Sequence, residues 1–213
     1  MKTVFFLLPL LALAACHETG DGNEIDPRSV EYNNRAVEMM QHFIHEAVPD
    51  TSQWAQAETF TDSVRILFRD IVDSCQSLLD SAVKYSPRHY FYYAQKARFY
   101  LYRIDHENAY AWTLKALEKK ELPELRIAAG MLLQKMGKEQ EAETHYAQVI
   151  GRYEARDTLS RADLMNYTFA LVLTRQQDKA RQAIDSLARD TLLKRQLLSL
   201  IANPQEIIDA AIP

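Results

Sequence analysis

Residues 90–123 read YFYYAQKARFYLYRIDHENAYAWTLKALEKKELP, and this stretch decides the fold. Apolar residues recur at three- and four-residue spacing on either side of Arg103–His106, which predicts two amphipathic helices joined by a tight turn. Asp105 stands where a side-chain acceptor caps the second helix, and Pro123 stands where the next helix begins. Ala97 in the first helix and Ala109 and Ala116 in the second supply the small side chains that two helices crossing at about 8–10 Å require at their contact.

Outward from this stretch the same spacing returns. Ala82 and Ala116 lie 34 residues apart and Ala109 and Ala142 lie 33 apart; Ala142 and Ala180 lie 38 apart across the insertion-like segment ARDTLS. Self-similarity at such a period marks a repeat architecture. The periodicity predicts helices over 29–47, 57–84, 88–102, 106–120, 124–135, 139–153, 160–174 and 178–189, and a C-terminal pair between 191 and 211. Short connections between them predict antiparallel hairpins. Ser86-Pro87, Ser160 with Asp163, Asn203-Pro204, Asp105 and Asp178 read as helix starts. The five glycines and seven prolines agree, because Pro27, Pro49, Pro87, Pro123 and Pro204 all stand between the apolar-periodic segments.

The unit 90–123 resembles a tetratricopeptide repeat on Tyr93, Ala97, Tyr100, Ala109 and Ala116. Residues 123–156 carry the pattern on Gly130, Leu133, Ala142, Tyr146 and Val149, with Gly137 in the turn. Residues 161–194 carry it on Leu164, Leu171, Ala180, Ile184 and Leu187, with Thr168 at a position the family keeps small. Residues 29–89 read as a divergent first unit that keeps Ala82 and Pro87, and 195–213 as a C-terminal helical cap. The resemblance implies an all-α fold of antiparallel helical hairpins stacked as a short tetratricopeptide-like right-handed solenoid; other helical-hairpin repeats are the structural alternative.

It also implies a concave groove lined by the first helix of each unit. The groove positions are Phe91, Ala94, Arg98, Leu101 and Tyr102, then Ile127, Met131, Gln134 and Lys135, then Met165, Phe169, Val172 and Leu173. Aromatic residues are dense from Tyr85 to Trp112, and some of them must be core. The expected partner-binding residues are Phe91, Arg98, Tyr102, Trp112, Met131, Lys135 and Phe169, a mixed apolar and basic surface suited to a peptide or amphipathic helix of an unknown protein partner. Packing against neighbouring helices is the competing reading of the same positions, and both stay open here. The family's clamp of lysines and asparagines on a peptide's terminal carboxylate is not matched.

At the other end of the chain, residues 1–16 read MKTVFFLLPLLALAAC. The apolar run from Val4 to Ala15 is shorter than the ~20 residues a membrane-spanning helix needs, so residues 1–15 read as an export signal. Leu13-Ala14-Ala15-Cys16 resembles the bacterial lipobox, which implies a diacylglycerol on the Cys16 thiol and an acyl chain on its amino group; an ordinary secretory signal with an incidental Cys16 is the alternative. Two or more acyl chains hold a protein almost permanently at a bilayer, at ~0.8 kcal/mol per buried methylene. His17 follows the cysteine, which by analogy with envelope sorting favours the outer membrane; Glu18, Asp21, Glu24 and Asp26 just after it resemble the acidic signals that direct some lipoproteins to the cell surface, and the periplasmic and surface sides both stay open here. Residues 16–28 read as the lipidated cysteine and a polar tether, with the folded domain, 29–213, starting near Ser29.

The remaining chemistry is read by elimination. Net charge is -4 for the whole chain, and without residues 1–15 there remain 24 basic against 29 acidic side chains, so no nucleic-acid partner is expected. Glu38, His42, His45 and Glu46 share a helix face but lack H-E-x-x-H spacing, so no metal is expected. No G-x-S-x-G elbow, phosphate loop or C-x-x-C pair occurs, and no cofactor beyond the covalent lipid is implied. Cys75, in IVDSCQSLL, reads as a small buried thiol. The expectation is a membrane-anchored, non-enzymatic protein-interaction scaffold of the cell envelope, with a glycan- or solute-binding lipoprotein using an aromatic patch as the alternative.

Overall fold

The computed structural model describes residues 25–47, 62–188, 190–201 and 204–212. Among them no strand occurs, and the helices follow in the order α1 (Pro27–Ala47), α2 (Asp62–Tyr85), α3 (Tyr90–Leu101), α4 (His106–Lys119), α5 (Pro123–Lys135), α6 (Glu139–Tyr153), α7 (Arg161–Leu173), α8 (Gln177–Leu187), α9 (Thr191–Leu200) and α10 (Pro204–Ala211). The protein is therefore all-α, as the spacing predicts. The described residues divide into two compact units, one ending at Lys119 and the other beginning at Lys120.

In the first unit α1 pairs with α2 and α3 with α4, while α2 also packs on α3. Its core gathers Ala36, Met40, Val72, Cys75, Leu79 and Phe99. The buried Cys75 thiol donates to the Ala36 carbonyl at 3.3 Å. In the second unit α5 pairs with α6 and α7 with α8, α6 packs on α7, and α9 lies against both α7 and α8. The small residues that define the repeat lie at these crossings: Ala82, Ala97, Ala109, Ala116, Ala142 and Ala180 are all buried. Gly130 permits the closest approach, since a Cβ there would fall 2.4 Å from Cε1 of Tyr146.

The backbone carries the repeat more plainly than the side chains do. Where α3 ends, Asp105 N–H donates to the Tyr100 carbonyl at 3.1 Å and Ile104 N–H to that of Leu101 at 3.0 Å. This is a Schellman turn, and its left-handed residue is Ile104, at φ 54°. After α5, Lys138 N–H bonds the Leu133 carbonyl and Gly137 N–H bonds that of Gln134, with Gly137 at φ 73°. After α7, Gln176 N–H bonds the Leu171 carbonyl and Arg175 N–H bonds that of Val172, with Arg175 at φ 60°. Ile104, Gly137 and Arg175 are spaced by 33 and 38 residues, the same intervals as Ala109, Ala142 and Ala180.

Helix starts agree in part with expectation. Ser160 caps α7, accepting from Asp163 N–H at 3.1 Å, and Asp105 accepts from Asn108 N–H at 3.0 Å at the head of α4. Ser86 does not cap α3: helix starts at Tyr90, and the Ser86 hydroxyl instead accepts from Asp26 N–H at 3.1 Å. Asp178 lies inside the first turn of α8, where Gln176 is the N-cap residue, so it complements the helix dipole rather than capping it. An unanticipated cap is Asp190, which accepts from Leu192 N–H at 2.8 Å before α9. The first helix starts at Pro27, two residues before the expected Ser29, because the Asp26 carboxylate accepts from Arg28 N–H at 2.9 Å. The signal segment, Cys16, the tether to residue 24 and the Asn203 cap lie outside the described residues.

Candidate functional site

The expected groove residues fall in both units. In the first, Phe91, Arg98 and Tyr102 recur at helical spacing along α3 and its C-cap, and all three are half-buried. Ala94 and Leu101, from the same expected set, are core. Tyr102 packs partly into the unit's interior, edge-on to Phe68 with centroids 6.5 Å apart. Phe91 is edge-on to His89 at 6.3 Å. Arg98 differs from these: its Nε is shielded from solvent and has no hydrogen-bond partner among the described residues. A guanidinium donor left unmatched costs about 1–3 kcal/mol; Nε itself is shielded, so an incoming carboxylate would meet the part of the half-buried Arg98 side chain that solvent reaches.

Trp112 is half-buried but does not join this face. It packs on Tyr93, centroids 5.9 Å apart, and Tyr93 lies two residues, or about 200°, around α3 from Phe91. There Trp112 is the centre of a cationic cluster. Lys96 Nζ lies 4.3 Å and Lys115 Nζ 3.9 Å from its ring centroid, and Lys119 Nζ is 5.3 Å from that of Tyr93. The Lys96 side chain is only 3% exposed, and its ammonium is held by the exposed carboxylate of Asp80. Sequence periodicity places Lys96 on a buried stripe but offers no sign of its Asp80 partner, which lies 16 residues away on another helix.

In the second unit the groove expectation is corrected for five residues. Met131 and Phe169 are 1% and 2% exposed and belong to the core. Ile127, Val172 and Leu173, from the same expected set, are also buried. The reason lies in the helices: Leu164 and Tyr167 through Leu173 of α7 are buried all round, and a helix apolar on every side is interior. Gln134 faces α6, accepting from the Tyr146 hydroxyl at 2.5 Å. Lys135 remains half-buried and is already paired, at 3.0 Å, with Asp209 of α10. The isoleucines of that C-terminal segment, Ile207, Ile208 and Ile212, are buried.

A cleft of about 520 Å³ opens beside the ARDTLS segment, lined by Asp157, Ser160, Arg161, Leu164, Leu187 and Asp190 among others. Arg161 donates to Gln196 at 3.0 Å and reaches Asp190 at 3.5 Å, while the helix starts that face the cleft are capped by their own Ser160 and Asp190. Among the described residues, no three or more His, Cys, Asp or Glu side chains are grouped to hold a metal ion. His42 pairs with Glu46 at 3.3 Å on the exposed face of α1. No described helix is long and apolar enough to cross a membrane.

No protein-family model matches the chain, and no curated protein matches it either. Among solved structures the chain is similar to that of YrrB, described as a TPR protein with an unusual peptide-binding site. The two are 13% identical, the likeness covers 76% of this chain and 90% of that one, and the TM-score is 0.39. The assignment to an all-α, hairpin-built class rests on the helices and turns of this chain itself.

Proposed function

We infer that this protein is a lipid-anchored, non-enzymatic interaction scaffold of a bacterial cell envelope, whose tetratricopeptide-like first unit captures an acidic segment of a protein partner. The observation that carries the reading is Arg98, a half-buried guanidinium on the Phe91 face of α3 with a shielded Nε that no described residue accepts from. Arginine and aromatic side chains in partly desolvated positions are the groups that dominate protein–protein binding energy. Of the lysines around Trp112, Lys96 is neutralised by Asp80, and the exposed Lys115 supports the same sign of partner charge. Both also lie over the indole ring that a sugar would need for stacking, which favours a protein ligand over a glycan. Anchoring rests on Leu13-Ala14-Ala15-Cys16, and the outer membrane is the membrane this reading assigns.

Two measurements test the two halves. Cells fed a clickable palmitate should label the wild-type chain and not Cys16→Ser; equal labelling, or none in either, removes the anchor. Crosslinking in cells followed by mass spectrometry should recover a protein partner whose yield falls about tenfold in Arg98→Ala, as loss of a charged hot spot predicts. An undiminished yield in that variant would refute the assigned surface.

A further inference from the structure

The start of the folded chain is pinned to one end of the first unit. Asp26 N–H donates to the Ser86 hydroxyl at 3.1 Å, and the Ser29 and Ser86 hydroxyls lie 2.5 Å apart. Immediately beside this clasp four side chains stack in series. The Arg28 guanidinium lies 4.0 Å from the Tyr85 ring centroid. Tyr85 stacks on Tyr32 with centroids 5.7 Å apart and planes within 4° of parallel, and Arg35 lies 6.0 Å from the Tyr32 centroid. Lys84 and Arg88 flank Tyr85 and Ser86 in sequence and are exposed, as are Ile25 and Val30, at 37% and 42%.

The carboxylate of Asp26 offsets Arg28 at 2.6 Å. Arg35, Lys84 and Arg88 have no carboxylate partner among the described residues, and Glu31 is the exposed acid nearest in sequence to Val30. Residues 25–35 and 84–88 set Arg28, Arg35, Lys84 and Arg88 against Asp26 and Glu31, so this face is net basic, aromatic and partly aliphatic, while the tether that leads to it carries Glu18, Asp21 and Glu24 in a mature chain whose formal charge is negative overall. That combination of tyrosine rings, cationic side chains and exposed aliphatics is the composition of protein surfaces that rest in a bilayer's headgroup layer.

We propose that the Arg28–Tyr85–Tyr32–Arg35 ladder, with Lys84 and Arg88, is a membrane-docking face that seats the first unit on anionic phospholipid headgroups. The geometry of this docking rests on the lipid anchor proposed above. Eight residues separate Cys16 from Ile25, and that length of chain reaches about 30 Å at most when fully extended. An acyl chain on Cys16 thus keeps this end of the molecule within a few nanometres of the headgroups, and the cations and ring edges then have a phosphate layer to meet. Arg35 and Arg88 supply charge, while Tyr32 and Tyr85 hold Arg28 and Arg35 in place instead of leaving them free to turn away.

The test separates this face from the anchor by removing the lipid. The mature chain from residue 16 carrying Cys16→Ser is sedimented with phosphatidylcholine vesicles, and with vesicles containing one-quarter phosphatidylglycerol, at low and at moderate salt. The expected result is salt-sensitive partitioning onto the anionic vesicles alone. Arg35→Glu with Arg88→Glu should lower it about thirtyfold, or about 2 kcal/mol, taking roughly one kcal/mol per basic residue lost from the surface. Both positions are exposed, so circular dichroism should show unchanged helix. The charge-matched control Arg152→Glu with Arg181→Glu, also exposed, should leave partitioning unchanged. No preference for anionic vesicles, or an equal fall in the control pair, overturns the proposal. Palmitate labelling of the wild type is independent of both results, so the anchor can stand if the docking face fails.

Discussion

Gly130→Ala should destabilise the protein although it replaces the poorest ordinary helix former with the best. In a helix interior the exchange gains about 1 kcal/mol, and Gly151, with open space where its Cβ would stand, shows what that gain looks like alone. At Gly130 the added methyl would lie 2.4 Å from Cε1 and 2.6 Å from Cζ of Tyr146. The ring has little room to retreat: Tyr146 is wholly buried, and its hydroxyl donates at 2.5 Å to Gln134, one turn further along the helix that carries Gly130. Overpacking costs about 1–3 kcal/mol, and about 1 kcal/mol more is lost if the hydroxyl leaves Gln134. Set against the propensity gain, the net loss is about 1–3 kcal/mol, and for ~2 kcal/mol the melting midpoint falls by about 4–8 °C in a chain of this size. Thermal unfolding followed by the helical circular dichroism signal should therefore place Gly130→Ala below wild type and Gly151→Ala above it. In a Tyr146→Leu background Gly130→Ala should turn favourable, with a coupling of at least ~1 kcal/mol between the two sites. If Gly130→Ala melts at or above wild type, the close crossing of α5 and α6 is wrong.

Gly137→Ala should cost about 0.5–1 kcal/mol with no clash at all, because a side chain at φ 73° carries a left-handed penalty larger than the unfolded-state entropy it removes; Ile104→Gly should stay within about 0.5 kcal/mol of wild type in urea, since relief of the same conformation offsets the loss of a side chain that is 62% exposed. Asp80→Ala leaves the Lys96 ammonium buried with the Trp112 ring as its remaining partner, so its urea midpoint should fall below that of Lys96→Met by the equivalent of about 1–2 kcal/mol. Burial, and after it the nearby Arg126 guanidinium, hold the His145 pKa below its ordinary value. The unfolded chain then takes up that proton first as pH falls below about 6.5, so stability should drop on acidification through that window and His145→Gln should flatten the drop, as read from urea midpoints between about pH 5 and 7. Desolvation pushes the Cys75 thiol up to about 11; an aromatic disulfide reagent at about pH 8 should leave it untouched in the native protein and label it fully in urea.

What could be read from the residues, and what could not, divides along a physical line. Helix ends and small-residue crossings are written in short-range chemistry: Ser160 and Asp105 act on amides three residues away, and Ala97, Ala109 and Ala142 declare by size alone that another helix passes close. Exposure of the groove positions is not a short-range property. Met131 and Phe169 have the spacing of a lining residue, yet whether that line faces solvent depends on how neighbouring helices such as α9 pack, which no local pattern announces. Shared chemistry and aromatic density group Trp112 with Phe91, whereas the helix turn of about 100° per residue sends it to Tyr93 and the lysines. The Schellman turns show the limit from the other side. Only Gly137 marks its turn by residue type, while Ile104 and Arg175 adopt the same left-handed backbone against their own preference. A conformation held where the residue resists it is imposed by what surrounds it. In these turns the imposing element is the pair of bonds back to the carbonyls of α3 and α7 together with the packing of the following helix on Ala109 and Ala180. The 33- and 38-residue intervals therefore recur in φ and in alanine alike because both answer to one constraint, the distance at which the second helix of each hairpin must return on the first.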